Sequence, residues 1–114
     1  MKAGDVALVR FPFADLATAK KRPVLVFTRT TRSPRNRVVT VAMITSQTEG
    51  LKLEGDVLLD DWKNAGLRHP SLLRVAKIAT VDEQLIEKTI GRLSSRDLTA
   101  ARAAFHRVFA FWVR

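Results

Sequence analysis

Apolar positions along this chain fall in short runs or alternate with polar ones, and a helical period takes over only near the C-terminus. Asp5–Phe11 alternates loosely through Val6, Leu8 and Val9 and predicts a first strand, which Pro12 limits. Residues 14–22 form a polar connector, and Pro23–Thr28 is almost wholly apolar, predicting a second strand. Arg29–Asn36, with Pro34 and clustered polar groups, predicts a loop. Arg37–Thr45 is long and rich in β-branched residues, the strongest strand signal in the chain. After a turn at Glu49-Gly50, Val57–Leu59 predicts a short strand and Asp60–Leu67 a single helical turn ended by Gly66, with Pro70 closing the connection. Leu72–Thr80 predicts another strand, followed by a turn at Val81–Gln84. Leu85–Leu93 fits either period. Thr89, Ile90 and Gly91 are poor helix formers, so Lys88–Leu93 is expected to be extended.

The C-terminus reads as one amphipathic helix. Ser94 or Ser95 can cap it, and Asp97 in the first turn complements the helix dipole. Leu98, Ala101, Phe105, Val108 and Trp112 recur on one face, while Arg102, His106 and Arg107 lie on others. Successive short strands without βαβ alternation, then one helix, define a mainly β (α+β) domain. The expected form is a small bent antiparallel sheet or barrel with the helix packed on it.

With 114 residues, 46% of them hydrophobic, the chain forms a single domain, residues 1–114. A domain of this size leaves much of its surface wet, so dimerisation would stabilise it. It has no cysteine, which excludes disulfides and thiolate metal sites and fits a reducing compartment. Asp5 and Arg10 interrupt the first apolar stretch, unlike a signal peptide, and no apolar run approaches a membrane span. These features point to a soluble cytoplasmic protein without membrane contact.

Charge sharpens the picture. The net charge is +9, and no acidic residue occurs between Asp15 and Glu49, an interval that holds Lys20, Lys21, Arg22, Arg29, Arg32, Arg35 and Arg37. A one-sign field over so much of a small domain attracts polyanions, either nucleic acid or an acidic protein segment. A solvated basic face is the plainer reading, although such faces usually mix both signs. Asp60 and Asp61 are adjacent and would point apart, and no ligand-quality cluster of histidines or carboxylates stands elsewhere, so no metal or other cofactor is expected.

Several strings resemble one family. GDVALVRFPF, KKRPVLVF and VTVAMITSQ are similar to the first three strands of PemK/MazF toxins, and WKNAGLRHPSLLRVAKIATVDEQLIEKTIGRLS to their second half, the PemK-like branch above all. The resemblance covers nearly the whole chain, and it is the combination of strings that is specific. It implies an SH3-like barrel of the CcdB/MazF plasmid-toxin type. It also implies a homodimer that cleaves single-stranded RNA without metal through a 2′,3′-cyclic phosphate, inhibited by a cognate acidic antitoxin.

Such cleavage needs the 2′-hydroxyl deprotonated, the 5′-oxygen protonated and the charge on phosphorus stabilised. The resemblance makes Arg22, in its R-P pair, the essential arginine. A guanidinium fork suits phosphorane oxygens, and the proline fixes the strand entry beside it. Thr45 in Ile44-Thr45-Ser46-Gln47 matches the family's active-site threonine, with Ser46 as a second hydroxyl and Gln47 as a base reader; a polar strand-end turn is the alternative. Arg74 resembles the branch's second arginine, or else is a solvent-facing strand residue. The aspartate that the branch can carry two positions on is here Ala76, and the histidine of its first connector has no counterpart, so the general base is open.

Lys20, Lys21, Arg29, Arg32 and Arg35 are expected to bind the RNA backbone from the connectors around the second strand, and His69 to contact RNA from its loop. Phe11, Phe13, Trp62 and Trp112 read as packing or dimer residues before base platforms. Two other functions fit the same pattern. One is a same-fold toxin that binds DNA gyrase; the other is a catalytically inactive RNA-binding barrel.

Overall fold

The computed structural model describes residues 1–11, 20–33 and 36–113. Among these residues six strands are formed: β1 Asp5–Phe11, β2 Lys20–Ser33, β3 Asn36–Thr45, β4 Asp56–Leu58, β5 Leu72–Asp82 and β6 Ile86–Arg92. A 3-10 turn, Glu83–Leu85, joins β5 to β6, and one helix, α1 Ser95–Val108, follows. All pairings are antiparallel in a single sheet of order β4-β5-β3-β2-β1-β6. The architecture is mainly β with one C-terminal helix, as the pattern of short apolar runs predicts. No helix among the described residues is long and apolar enough to cross a membrane.

Two apolar layers use the two faces of the sheet, because successive strand residues point to opposite sides. One layer gathers Val6, Leu25, Ala42, Ile44, Leu73 and Val75 under α1, which contributes Ala101 and Ala104. Phe105 extends this layer, meeting Phe27 edge-to-face with ring centres 5.6 Å apart. The other face carries Ala7, Val9, Val24, Val26, Val39, Val41 and Val81. Register breaks between Val26 and Thr28 and between Ala42 and Met43 bend the sheet.

Five sequence expectations need correction. Lys20–Arg22 belongs to β2 rather than to the polar connector, and β2 runs on to Ser33 through Arg29–Ser33, which read as loop. Arg29–Thr31 pairs with Val39, Val38 and Arg37 across a long hairpin. Thr28, Thr30 and Thr31 are β-branched, and Thr28, Arg29 and Thr30 are exposed, so this stretch needs no apolar alternation. β5 likewise continues to Asp82, where a turn was expected from Val81, and β6 starts at Ile86 rather than Lys88. Trp112 lies past the end of α1 and is 80% exposed, so it is not on the helix's packing face.

Asp60–Leu67 is a series of turns that closes as a helix end does. Leu67 N–H donates to the Trp62 carbonyl at 3.1 Å and Gly66 N–H to that of Lys63 at 3.0 Å, the crossed pair of a Schellman motif. Gly66 takes the required left-handed φ of 81°. This segment lies against β6 so closely that a Cβ built at Gly91 would sit 2.4 Å from the Ala65 carbonyl carbon. Its first two amides are held from α1: Asp60 and Asp61 N–H donate to the two carboxylate oxygens of buried Asp97 at 3.0 and 2.9 Å. Ser94 is the N-cap, its hydroxyl accepting the Asp97 N–H at 3.2 Å and donating to Asp61 at 2.6 Å.

Candidate active site

Pro23 shapes the site from the chain upward. It has no N–H to give, and the β2–β3 ladder begins at the next residue, with Val24 opposite Met43. Among the described residues, Lys20–Arg22 is therefore paired on one side only, with β1, where Arg22 stands opposite Val9. Arg22 and Thr45 each lie two residues beyond the Val24–Met43 pair, on the face that bears Val24 and Met43. On the other side of β3, Thr45 pairs with Leu72 and Met43 with Arg74, so Thr45 and Arg74 are diagonal neighbours. Arg22, Thr45 and Arg74 thus share one face at one end of three adjacent strands.

Each carries usable chemistry. Arg22 is exposed. The Thr45 hydroxyl accepts the Gln47 N–H at 3.1 Å, forming a small turn that leaves its O–H proton to donate to a phosphate oxygen. The polar-turn reading and the functional reading of Thr45 are therefore compatible. Ser46 and Gln47 are exposed just after it. Arg74 is 20% exposed, 3.7 Å from Asp56 on β4 and 3.4 Å from the Leu51 carbonyl. Asp56 stands across the ladder from Arg74. Sequence reasoning missed it, because a carboxylate eighteen positions away carries no local signal. Ala76 is exposed, in the Val75–Lys77 segment that breaks the β3–β5 register.

The RNA-binding candidates divide. Lys20 is exposed beside Arg22, whereas Lys21 is tied to Glu87 at 2.7 Å. The Lys21 hydrogen bond leads the causes that hold the Glu87 carboxyl below its ordinary value. Arg29 is far along β2 and meets Glu83 at 3.3 Å, with Arg37 3.9 Å from the same carboxylate. At about 3.3 Å per residue the strand separates Arg29 from Arg22 by roughly 23 Å of contour. Arg32 is in β2, its side chain outside the described residues, as are Arg35, Phe13 and the side chain of Phe11. His69 is exposed three residues before Leu72, its carbonyl accepting from the Ser71 hydroxyl at 2.8 Å. Trp62 is half-buried against the layer under α1.

A cavity of about 530 Å³ opens elsewhere, between α1 and the sheet, lined by Phe27, Leu98, Phe105 and Phe109 with Arg92 and Arg102 beside them. None of Arg22, Thr45 or Arg74 reaches it.

Comparison with known proteins gives a consistent result. The sequence profile of the PemK-like, MazF-like toxins of type II toxin–antitoxin systems matches residues 2–109. Mycobacterium tuberculosis toxin MazF-mt6 superposes with a TM-score of 0.70 at 27% identity, over 93% of this chain and 96% of that one. A further Mtb toxin shares 32% identity over 77% of this chain and 92% of its own, with a TM-score of 0.62. MazE–MazF from Deinococcus radiodurans has the same fold at 14% identity, with a TM-score of 0.68 over 96% of this chain and 94% of that one. No curated protein matches the sequence.

Proposed function

Since the chain belongs to the PemK-like, MazF-like toxins of type II toxin–antitoxin systems, we propose that it is a metal-independent endoribonuclease that cuts single-stranded RNA by attack of the 2′-hydroxyl. The leaving group is the 5′-oxygen, and the products are a 2′,3′-cyclic phosphate and a 5′-hydroxyl. The observation that carries this reading is the shared face of Arg22, Thr45 and Arg74 on adjacent strands. Two guanidinium forks flanking a hydroxyl donor suit a phosphorane, whose equatorial oxygens gather charge as the bond to the 2′-oxygen forms. Arg22 stabilises that charge, Thr45 donates to a phosphate oxygen, and Arg74 supplies the second fork.

Exposed Lys20, two positions before Arg22, Ser46 and Gln47, just after Thr45, and His69, in the loop before β5, would hold the strand. Lys21 and Arg29 would bind RNA only after giving up their ion pairs with Glu87 and Glu83. Arg32 and Arg35 complete the proposed basic set. The functional unit is a homodimer restrained by a cognate acidic antitoxin. The apolar cavity flanked by Arg92 and Arg102 suits an acidic amphipathic segment, and one relative of the same fold is a MazE–MazF pair. The shared face of two arginines and a threonine favours this reading over the gyrase-binding and inactive alternatives.

The test is cleavage of a long single-stranded RNA in excess EDTA, with Arg22→Ala alongside. The wild type should make discrete cuts ending in 5′-hydroxyls, and the variant should fold and not cut. Cleavage that EDTA abolishes, or that survives Arg22→Ala, refutes the mechanism. A folded wild type that cuts nothing moves the reading to the gyrase-binding or inactive alternative.

A further inference from the structure

The Asp56 side chain is 5% exposed, and the positions of its two carboxylate oxygens differ sharply. Oδ2 accepts the Leu53 N–H at 2.9 Å and lies 3.7 Å from Arg74 Nη2. The same Arg74 nitrogen reaches the Leu51 carbonyl at 3.4 Å. One carboxylate therefore ties Arg74 to the loop that leaves Thr45-Ser46-Gln47 on its way to β4. Oδ1, in contrast, is buried without a hydrogen-bond partner among the described residues. A buried carboxylate oxygen without a donor is costly, and a structure that keeps one needs a reason.

Arg74, which stands directly across the ladder and is the ion-pair partner of Oδ2, is a suitable donor. Its guanidinium offers five N–H groups in a planar fork that matches a carboxylate two-on-two, yet at 3.7 Å the pair is an ion pair and not a hydrogen bond. Its 3.4 Å bond to the Leu51 carbonyl is at the weak limit of length. We propose, resting on the ribonuclease reading of Arg74 above, that Asp56 is the positioning residue of that arginine. When a phosphate engages Arg74, the guanidinium releases the Leu51 carbonyl and turns onto Asp56, whose vacant Oδ1 completes a bidentate pair. The arginine's outer N–H groups are then held toward the phosphate. Asp56 touches no substrate; it supplies a fixed orientation to a side chain that otherwise swings, a form of pre-organisation to which transfer rates are sensitive.

The experiment is a double-mutant cycle with Asp56→Asn, Arg74→Ala and the pair. Asparagine keeps one oxygen for the Leu53 N–H but has neither the charge nor the second acceptor. Asp56→Asn should lower kcat/KM about tenfold, mostly in kcat, and should cost nothing further in the Arg74→Ala background. Melting temperatures of all four proteins separate loss of fold from loss of orientation. If Asp56→Asn fails to fold, Asp56→Glu enters the same cycle; it keeps the charge but displaces it by one methylene, with the same expected loss. Equal losses in both backgrounds, or full activity of the folded variant, overturn the assignment.

A non-cleavable 2′-O-methyl oligonucleotide provides a second readout. Its affinity should fall with Asp56→Asn only where Arg74 is present. A wild type that binds this probe but cuts no RNA defeats the ribonuclease reading while the Asp56–Arg74 coupling still stands or falls on the binding cycle. A wild type that does neither overturns both.

Discussion

Asp97 is the strongest test of how this fold is held, because one side chain joins two segments distant in sequence. It is 1% exposed, and its carboxylate oxygens accept the backbone N–H groups of Asp60 and Asp61 at 3.0 and 2.9 Å. Replacing it with alanine leaves both amides without an acceptor, while the Ser94 cap keeps its bond from the residue-97 backbone N–H. A hydrogen bond to a charged acceptor contributes about 1.5–3 kcal/mol. Two such bonds, discounted because Asp60 is exposed and Asp61 half-buried, amount to about 3–4 kcal/mol. Loss of the acidic group from the first turn of α1 adds about 0.5 kcal/mol.

Asparagine gives the sharper comparison. It has the same shape but presents one oxygen and one N–H₂, and the latter must face a backbone N–H. Asp97→Asn should therefore lose most of what Asp97→Ala loses. Urea unfolding followed by the fluorescence of Trp62, which lies in the segment these bonds hold, measures both at one fixed protomer concentration. With a urea m-value of about 1.5–2 kcal/mol/M for a domain of this size, the midpoint should fall by about 2 M for alanine. An asparagine variant with the wild-type midpoint, or an alanine variant within about 1 kcal/mol of wild type, would show that water or neighbouring groups satisfy these amides and that Asp97 is not the link.

Three further outcomes are expected. Gly91→Ala should destabilise by about 3 kcal/mol or more, since its Cβ would lie 2.4 Å from the Ala65 backbone, whereas Gly50→Ala, with open space around it, should cost only the strain of its φ of 100°; equal effects in thermal melts would contradict the close packing of β6. Burial raises the Asp5 carboxyl, but the Lys2 N–H, the hydrogen bond and charge of Arg92 and the N-terminal charge outweigh it and hold it below its ordinary 3.8. Its contribution is complete above that ordinary value and is lost as pH falls through the lowered one, so Arg92→Gln should be less stable near neutrality and converge with wild type in acid; parallel stability curves would exclude the pair. Glu83→Gln should release Arg29 and Arg37, raise affinity for single-stranded RNA and steepen its salt dependence by up to about 1.4 in log–log slope, and an unchanged slope would mean that neither arginine meets RNA.

What could be read in the sequence is what local chemistry encodes. β1 has the bounds that Asp5–Phe11 predicts, β3 starts one residue earlier than predicted, and Ser94 caps α1 as its side chain suggests. Arg22, Thr45 and Arg74 were found by resemblance, and the register then set them on one face, something no spacing in the sequence discloses. Arg29–Ser33 was misread because its sequence has Thr and Arg, with Arg29 and Thr30 exposed, where a half-buried strand has alternating apolar residues. Asp56 was missed for a different reason: its partner lies across a ladder, and the orphaned oxygen that singles it out is a property of burial alone. Asp97 looked like a helix-dipole residue, and its larger task, holding Asp60 and Asp61, needs the chain brought back from far away.

The basic run from Lys20 to Arg37 shows the same limit in electrostatic form. In sequence it is uninterrupted by any carboxylate. In the fold, Glu87 meets Lys21 while Glu83 meets Arg29 and Arg37, so the one-sign field is partly cancelled by residues that follow β5. Arg29 is also separated from Arg22 by roughly 23 Å of strand, well beyond the screening length of about 8 Å at physiological salt. The charge felt by a phosphate on the Arg22–Thr45–Arg74 face therefore comes from that face: the two arginines, exposed Lys20 beside them, and the Asp56 carboxylate behind one of them. Net charge of +9 governs how polyanions are drawn to the molecule. On the proposed reading, where a polyanion is held on that face depends on a proline at the start of one ladder and a register that aligns three side chains.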